Sequence, residues 1–139
     1  MNIYFACSIT GGREFESIYR ELVDSMAADG HVIPTSHLAL SEVMEKERIV
    51  QSRDVYLRDV EWIENCDALV AEVSVPSHGV GYEIGYALQK GKPVLCLYQN
   101  ERKVSKMITG NPHPALKVES YSTVKEAMVK LKSFLDRPS

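Results

Sequence analysis

Residues 76–83, Pro-Ser-His-Gly-Val-Gly-Tyr-Glu, gather a hydroxyl, an imidazole, a phenol and a carboxylate around two glycines. Gly79 and Gly81 let backbone N–H groups approach a ligand, and Ser77 offers a hydroxyl donor. Glu83 is expected in the first turn of the helix that follows. A carboxylate there has two readings: a partner of the helix dipole, contributing about 0.3–1 kcal/mol, or a group that acts on a substrate. A second donor-rich loop, Cys7-Ser8-Ile9-Thr10-Gly11-Gly12-Arg13, follows the apolar run 2–6. It lacks the GK[ST] ending of a nucleoside-triphosphate loop and is not GxGxxG, so neither an ATPase nor an ordinary dinucleotide site is supported. On its own, the Gly11-Gly12 pair reads equally as a plain strand-to-helix turn. Both loops lead into helix starts, where free N–H groups and the dipole favour an anion, and phosphate is the plainest guest.

The elements that must position these loops follow from periodicity. Residues 2–6 (NIYFA) read as a buried strand. Phe15, Ile18, Tyr19, Leu22, Val23 and Met26 recur at helical spacing, with Gly30 placed to end that helix. Residues 31–35 (HVIPT) read as a second strand. Ser41 can cap a helical region reaching Asn65, with Ile49, Tyr56, Val60 and Ile63 on one face. Residues 67–73 (DALVAEV) and 93–98 (PVLCLY) read as strands buried on both faces, separated by a helix over 80–90 that Gly91 ends. Residues 115–120 form a weaker strand, and Thr123 with Glu126 makes a capping box for a last helix. This alternation predicts an α/β fold: one domain over residues 1–139, three-layered, with a doubly wound five-stranded parallel sheet of flavodoxin-like or Rossmann-like order 2-1-3-4-5. In that order the crevice lies between the loops after the first and third strands, which are the two donor-rich loops.

Composition narrows the classes. The chain has 139 residues, 45% of them hydrophobic and 25% charged, enough for a packed core. A net charge of −3 without a basic run argues against binding nucleic-acid polymers. No apolar stretch is long enough for a membrane span, and residues 1–12 do not resemble a signal peptide. Cys7, Cys66 and Cys96 are odd in number and widely spaced, so a reducing, cytoplasmic setting is expected. They read as small buried hydrophobes. His31, His37, His78 and His113 show no paired ligand spacing, and no metal site is expected. Trp62 reads as core, and Tyr82 with Tyr86 as helix packing. Arg102, Lys103 and Lys106 form a small basic patch beside Ser105, suited to solvation or to helping hold a phosphate.

The ordered set Tyr4-Phe5, Ser8-Ile9, Gly11-Gly12-Arg13-Glu14, Asp59-x-Glu61-Trp62, Ala71-Glu72-Val73 and Pro76-Ser77-x-Gly79-Val80-Gly81-Tyr82-Glu83 resembles the nucleoside 2-deoxyribosyltransferase superfamily. It is most similar to its 2′-deoxynucleoside 5′-phosphate N-hydrolase branch. The resemblance continues through Leu95-Cys96-Leu97 and Val104-Ser105-x-Met107-Ile108. It implies that Glu83 is the nucleophile that attacks the anomeric carbon and forms a glycosyl-enzyme. Tyr4 orients that carboxylate, and Asp59 assists departure of the base. Ser77, Gly79 and the backbone of Ile9, Thr10 and Gly11 form the 5′-phosphate cradle. Ser105 is contributed to the phosphate by the neighbouring subunit of a homodimer. Cys7 stands where relatives often have Gly, and Thr10 where some have Arg, with Arg13 nearby as another cation. His37, after the second strand, is a candidate to line the base pocket or a solvated loop residue. No metal or organic cofactor is implied.

The chemistry suits those roles. An oxocarbenium-like transition state needs a carboxylate on one face and an acid near the leaving group. Without the resemblance, Asp59 would not be selected over Asp54 or Glu61, since Asp54 and Arg58 at i,i+4 make an ordinary surface pair. Two alternatives stay open. One is a transferase exchanging bases between unphosphorylated nucleosides, whose sugar site tends to be completed by a neighbour's C-terminal carboxamide, whereas here the sequence reads Asp136-Arg137-Pro138-Ser139. The other is a non-catalytic nucleotide- or flavin-binding module.

Overall fold

The computed structural model describes residues 1–9, 15–35 and 51–136. The expected Ser41 cap, Ile49, and the loop residues Thr10, Gly11, Arg13 and His37 lie outside the described residues. The described elements run β1 (Ile3–Ala6), α1 (Glu16–Ala28), α2 (Ser52–Asn65), β2 (Ala68–Glu72), α3 (His78–Gln89), β3 (Val94–Gln99), α4 (Lys106–Thr109), β4 (Leu116–Tyr121) and α5 (Val124–Leu135). The strands form a parallel sheet in the order β1-β2-β3-β4. Its register sets Ile3 beside Ala68, Leu69 beside Val94, and Val94 beside Leu116.

The sheet therefore has four strands among the described residues, not five. Residues 31–35 make one parallel bridge, Asn2 to Val32, rather than a strand. Val32 is 59% exposed, and Pro34 has no N–H to give to a ladder. Thr35 takes over the role of a neighbouring strand. Its Oγ1 accepts the Phe5 N–H at 2.9 Å and donates to the Phe5 carbonyl at 2.8 Å. Those side-chain bonds satisfy the edge of β1 where further backbone pairing was expected.

Strand alternation divides the core. Ile3, Phe5, Val70, Leu95 and Leu97 face α1 and α5, meeting Tyr19, Leu22, Met26, Ala127 and Leu131. Tyr4, Ala6, Leu69, Ala71 and Cys96 face α2 and α3, meeting Ile63, Val80, Ile84 and Leu88. Helices thus cover both faces of a parallel sheet, the arrangement its apolar strands require. Gly30 and Gly91 end α1 and α3 at φ +90° and +77°, a region in which side-chain-bearing residues are strained. Thr123 caps α5 by accepting the Glu126 N–H at 3.1 Å, while Glu126 reaches back to the Ser122 N–H at 3.2 Å.

One helix departs from its expected packing. Of the apolar face read into α2, Ile63 is buried, whereas Tyr56 is 49% exposed. Val55, Tyr56, Val60 and Ile63 line a cleft against α3, so part of that face borders open space rather than core. Trp62 is half-buried and packs against the α2/α3 core.

Candidate active site

Tyr4 sits in the middle of β1, 1% exposed, and its side chain points to the α2/α3 face. Ser77 caps α3 by accepting the Val80 N–H at 3.3 Å, so the helix begins at His78, two residues before the expected start. Glu83 consequently lies in the second turn, not the first, where the dipole of free N–H groups has faded. A carboxylate placed there to satisfy the helix end would be misplaced. Instead it turns to β1, and the Tyr4 hydroxyl donates to its Oε2.

The electrostatics of this pair follow from burial. Desolvation raises the Glu83 pKa from 4.5 to about 7, and the negative charge of Asp59 adds to the rise. The Tyr4 hydrogen bond and the charge of Arg58 oppose it without cancelling it. The Tyr4 hydroxyl favours the charged form of Glu83, but burial outweighs it. Desolvation, together with Glu83 and Asp59, pushes the Tyr4 phenol far above its ordinary value, so it remains a donor.

Asp59, on α2, lines the same cleft of about 690 Å³ as Glu83, with Ile9, Ser52, Val55, Tyr56, His78, Gly79 and Tyr82 among the other walls. Arg58 Nε donates to Asp59 Oδ1 at 2.9 Å, and its guanidinium lies 5.0 Å over the Trp62 ring. Tyr56 and Tyr82 bring their hydroxyls within 3.3 Å of one another at the mouth. Tyr82 stacks on Tyr86 one turn further along α3, as the helical spacing predicts, and its 55% exposed side chain also lines the cleft. Cys7 is buried next to this site. Its thiol is pushed up to about 12, first by burial and then by Glu83 and Glu72, which leaves it protonated and unreactive.

The structure thus brings Ile9, Asp59, Gly79 and Glu83 to one cleft, with buried Tyr4 behind Glu83. It puts Ser77 and Ser105 in another, of about 490 Å³, on the other side of the first turns of α3. Lys103 lines that second cleft, and His78 and Tyr82 border both. Ser105 caps the short α4, accepting the Met107 N–H at 3.2 Å. Arg58, Tyr56 and Tyr82 were not selected from the sequence. The cation directly preceding Asp59 was the available signal for the first, but it reads equally as a partner of Asp54. Among the described residues, no group of three or more His, Cys, Asp or Glu could hold a metal ion, and no helix is long and apolar enough to cross a membrane.

The family profile described as Nucleoside 2-deoxyribosyltransferase matches residues 3–128. The chain belongs to this family. A relative in Thermofilum pendens, named "Putative 2'-deoxynucleoside 5'-phosphate N-hydrolase 1", is 40% identical over 137 residues, covering 97% of this chain and 95% of the relative. A relative in Danio rerio, named 5-hydroxymethyl-dUMP N-hydrolase, is 38% identical over 125 residues, covering 87% of each chain. The fold is shared with a CMP N-glycosidase of Clostridium botulinum, at a TM-score of 0.75 and 19% identity over 96% of this chain and 99% of that one.

Proposed function

We propose that the protein hydrolyses the N-glycosidic bond of 2′-deoxynucleoside 5′-monophosphates, giving free base and 2-deoxyribose 5-phosphate. The observation that carries this reading is the Tyr4–Glu83 pair facing Asp59 across one cleft. The names of the relatives at about 40% identity point the same way.

In the proposed reaction, ionised Glu83 attacks the anomeric carbon as the bond to the base nitrogen breaks, and the base leaves with that electron pair. The Tyr4 hydrogen bond fixes which carboxylate oxygen faces the sugar. Asp59 lies on the leaving-group side, where it handles the proton the base acquires. Water then attacks the same carbon, releases the sugar phosphate and restores Glu83, the two-carboxylate logic of retaining glycosidases. Val55, Tyr56, Val60 and Tyr82 supply the flat apolar wall that a base requires. Holding the phosphate at a distance supplies binding energy for aligning the reacting carbon.

The phosphate is assigned to Ser77, Gly79 and the loop of Cys7, Ile9, Thr10, Gly11 and Arg13, and His37 is assigned to the base pocket. Ser105 is assigned to the partner site of a homodimer. A reducing, cytoplasmic setting is supported by three buried cysteines, none in a disulfide.

The deciding experiment is a panel of deoxynucleosides with and without the 5′-phosphate, with released base measured by chromatography. The reading requires efficient turnover only with the phosphate. Equal release from both forms favours base exchange or nucleoside cleavage and overturns it.

A further inference from the structure

A second buried carboxylate lies beneath the opposite face of the sheet. Glu72 ends β2, is 0% exposed, and by strand alternation points with Ala68 and Val70 towards α1 and α5, away from Tyr4 and Glu83. A carboxylate buried this completely is tolerated only with donors on both oxygens. Glu72 has them. Oε1 accepts the Ser74 N–H at 2.7 Å, and Oε2 accepts the Ser74 hydroxyl at 2.8 Å and the Tyr121 hydroxyl. Ser74 Oγ in turn accepts the Gln99 N–H at 2.8 Å. Burial raises the Glu72 pKa above the ordinary carboxylate value, and the Tyr121 and Ser74 hydrogen bonds and the charge of Arg102 oppose that rise without cancelling it. The Arg102 guanidinium lies 4.8 Å over the Phe15 ring, just before α1.

One side chain thereby ties together the carboxyl ends of β2, β3 and β4, and through Arg102 the entry to α1. An apolar residue would be as favourable for stability at such a position. A carboxylate adds direction, because each oxygen fixes a particular donor. From Ser74 the chain passes Val75, which packs on the core, and Pro76, whose φ is fixed by its ring, to Ser77. From Gln99 it runs through Arg102 and Lys103 to Ser105. Neither path holds a second buried anchor of this kind among the described residues.

We propose that Glu72 is a positioning residue that fixes the β2–α3 and β3–α4 loops, and so sets Ser77 and Ser105 where they grip the substrate phosphate. The phosphate part rests on the functional reading above. Glu72 touches no reacting atom, so its removal acts on binding rather than on bond cleavage.

The test uses Glu72→Gln, which keeps the shape but cannot accept from all three donors, and Ser74→Ala, which removes the relay while leaving the carboxylate. Amide exchange is expected to quicken at least about tenfold at Ser74 and Gln99 in Glu72→Gln, and at Gln99 in Ser74→Ala, with Phe5 in β1 unchanged. KM for a deoxynucleoside monophosphate rises about tenfold while kcat changes by less than about threefold, and the inhibition constant of inorganic phosphate rises with KM. Unchanged exchange overturns the proposal, because the loops are then not held by Glu72. Faster exchange with unchanged KM and unchanged phosphate inhibition overturns it too, as does a loss confined to kcat. If the parent protein cleaves no nucleotide, the functional reading fails separately, and exchange with phosphate binding still decides the positioning.

Discussion

Replacing Glu83 by Gln separates catalysis from stability in opposite directions. Glu83 ionises at about 7 in the folded protein against an ordinary value of 4.5. Between those two values the folded state keeps a proton that the unfolded chain has lost, so stability falls as pH rises through the interval. At about 1.36 kcal/mol for each pKa unit, the folded state loses about 3 kcal/mol by pH 8. Gln has the same shape, still pairs with Tyr4 and carries no such cost. Relative to the parent, Glu83→Gln should therefore gain about 3 kcal/mol between pH 4 and pH 8, or about 10 °C in Tm for a chain of this length. Turnover should fall roughly 10³- to 10⁵-fold, because the charge that stabilises the oxocarbenium is gone. Thermal melts across pH and base release by chromatography read the two effects on one preparation. A variant whose melting difference from the parent does not grow with pH refutes the desolvated carboxylate. A folded variant with near-normal base release refutes the nucleophile.

Other outcomes follow from the same geometry. Since Glu83 acts ionised, kcat/KM should rise with pH through about 7, and Arg58→Gln should move that limb to higher pH by removing the opposing charge; a pH-independent rate between 5 and 9 contradicts this. Tyr4→Phe keeps the ring in the core but removes the donor to Glu83, and should cut kcat about 10- to 100-fold; an unchanged kcat would show that the pairing plays no part in turnover. Mixing Glu83→Gln subunits with Ser105→Ala subunits should restore a low-KM component, because one hybrid site then holds both parental residues. No recovery on mixing places Ser105 in its own chain's site or outside any site.

Periodicity revealed most of the fold. β1, β2, β3 and β4, the faces of α1 and α5, and the helix-ending Gly30 and Gly91 all follow from spacing that tertiary packing did not override. Residues 31–35 misled because an apolar run signals burial, while Pro34 and the Thr35 side chain decide whether a ladder forms. Tyr56 and Val60 misled for a related reason: helical spacing identifies a face but not whether core or cleft lies opposite. The start of α3 shifted by two residues because Ser77, rather than a later position, supplies the cap, and that shift removes Glu83 from the helix end. The Tyr4–Glu83 contact joins residues 79 positions apart, beyond any local pattern, and entered only through the resemblance. The Glu72 network was illegible for the same reason, since its partners Ser74, Gln99 and Tyr121 meet only once three strands are aligned.

The most direct measurement is a proton NMR time course of the protein with a deoxynucleoside 5′-monophosphate. The account predicts free base and 2-deoxyribose 5-phosphate appearing in equal amounts as the anomeric signal of the nucleotide is lost, with no inorganic phosphate released. Persistence of that anomeric signal, or release of phosphate with the base still attached to its sugar, would contradict it.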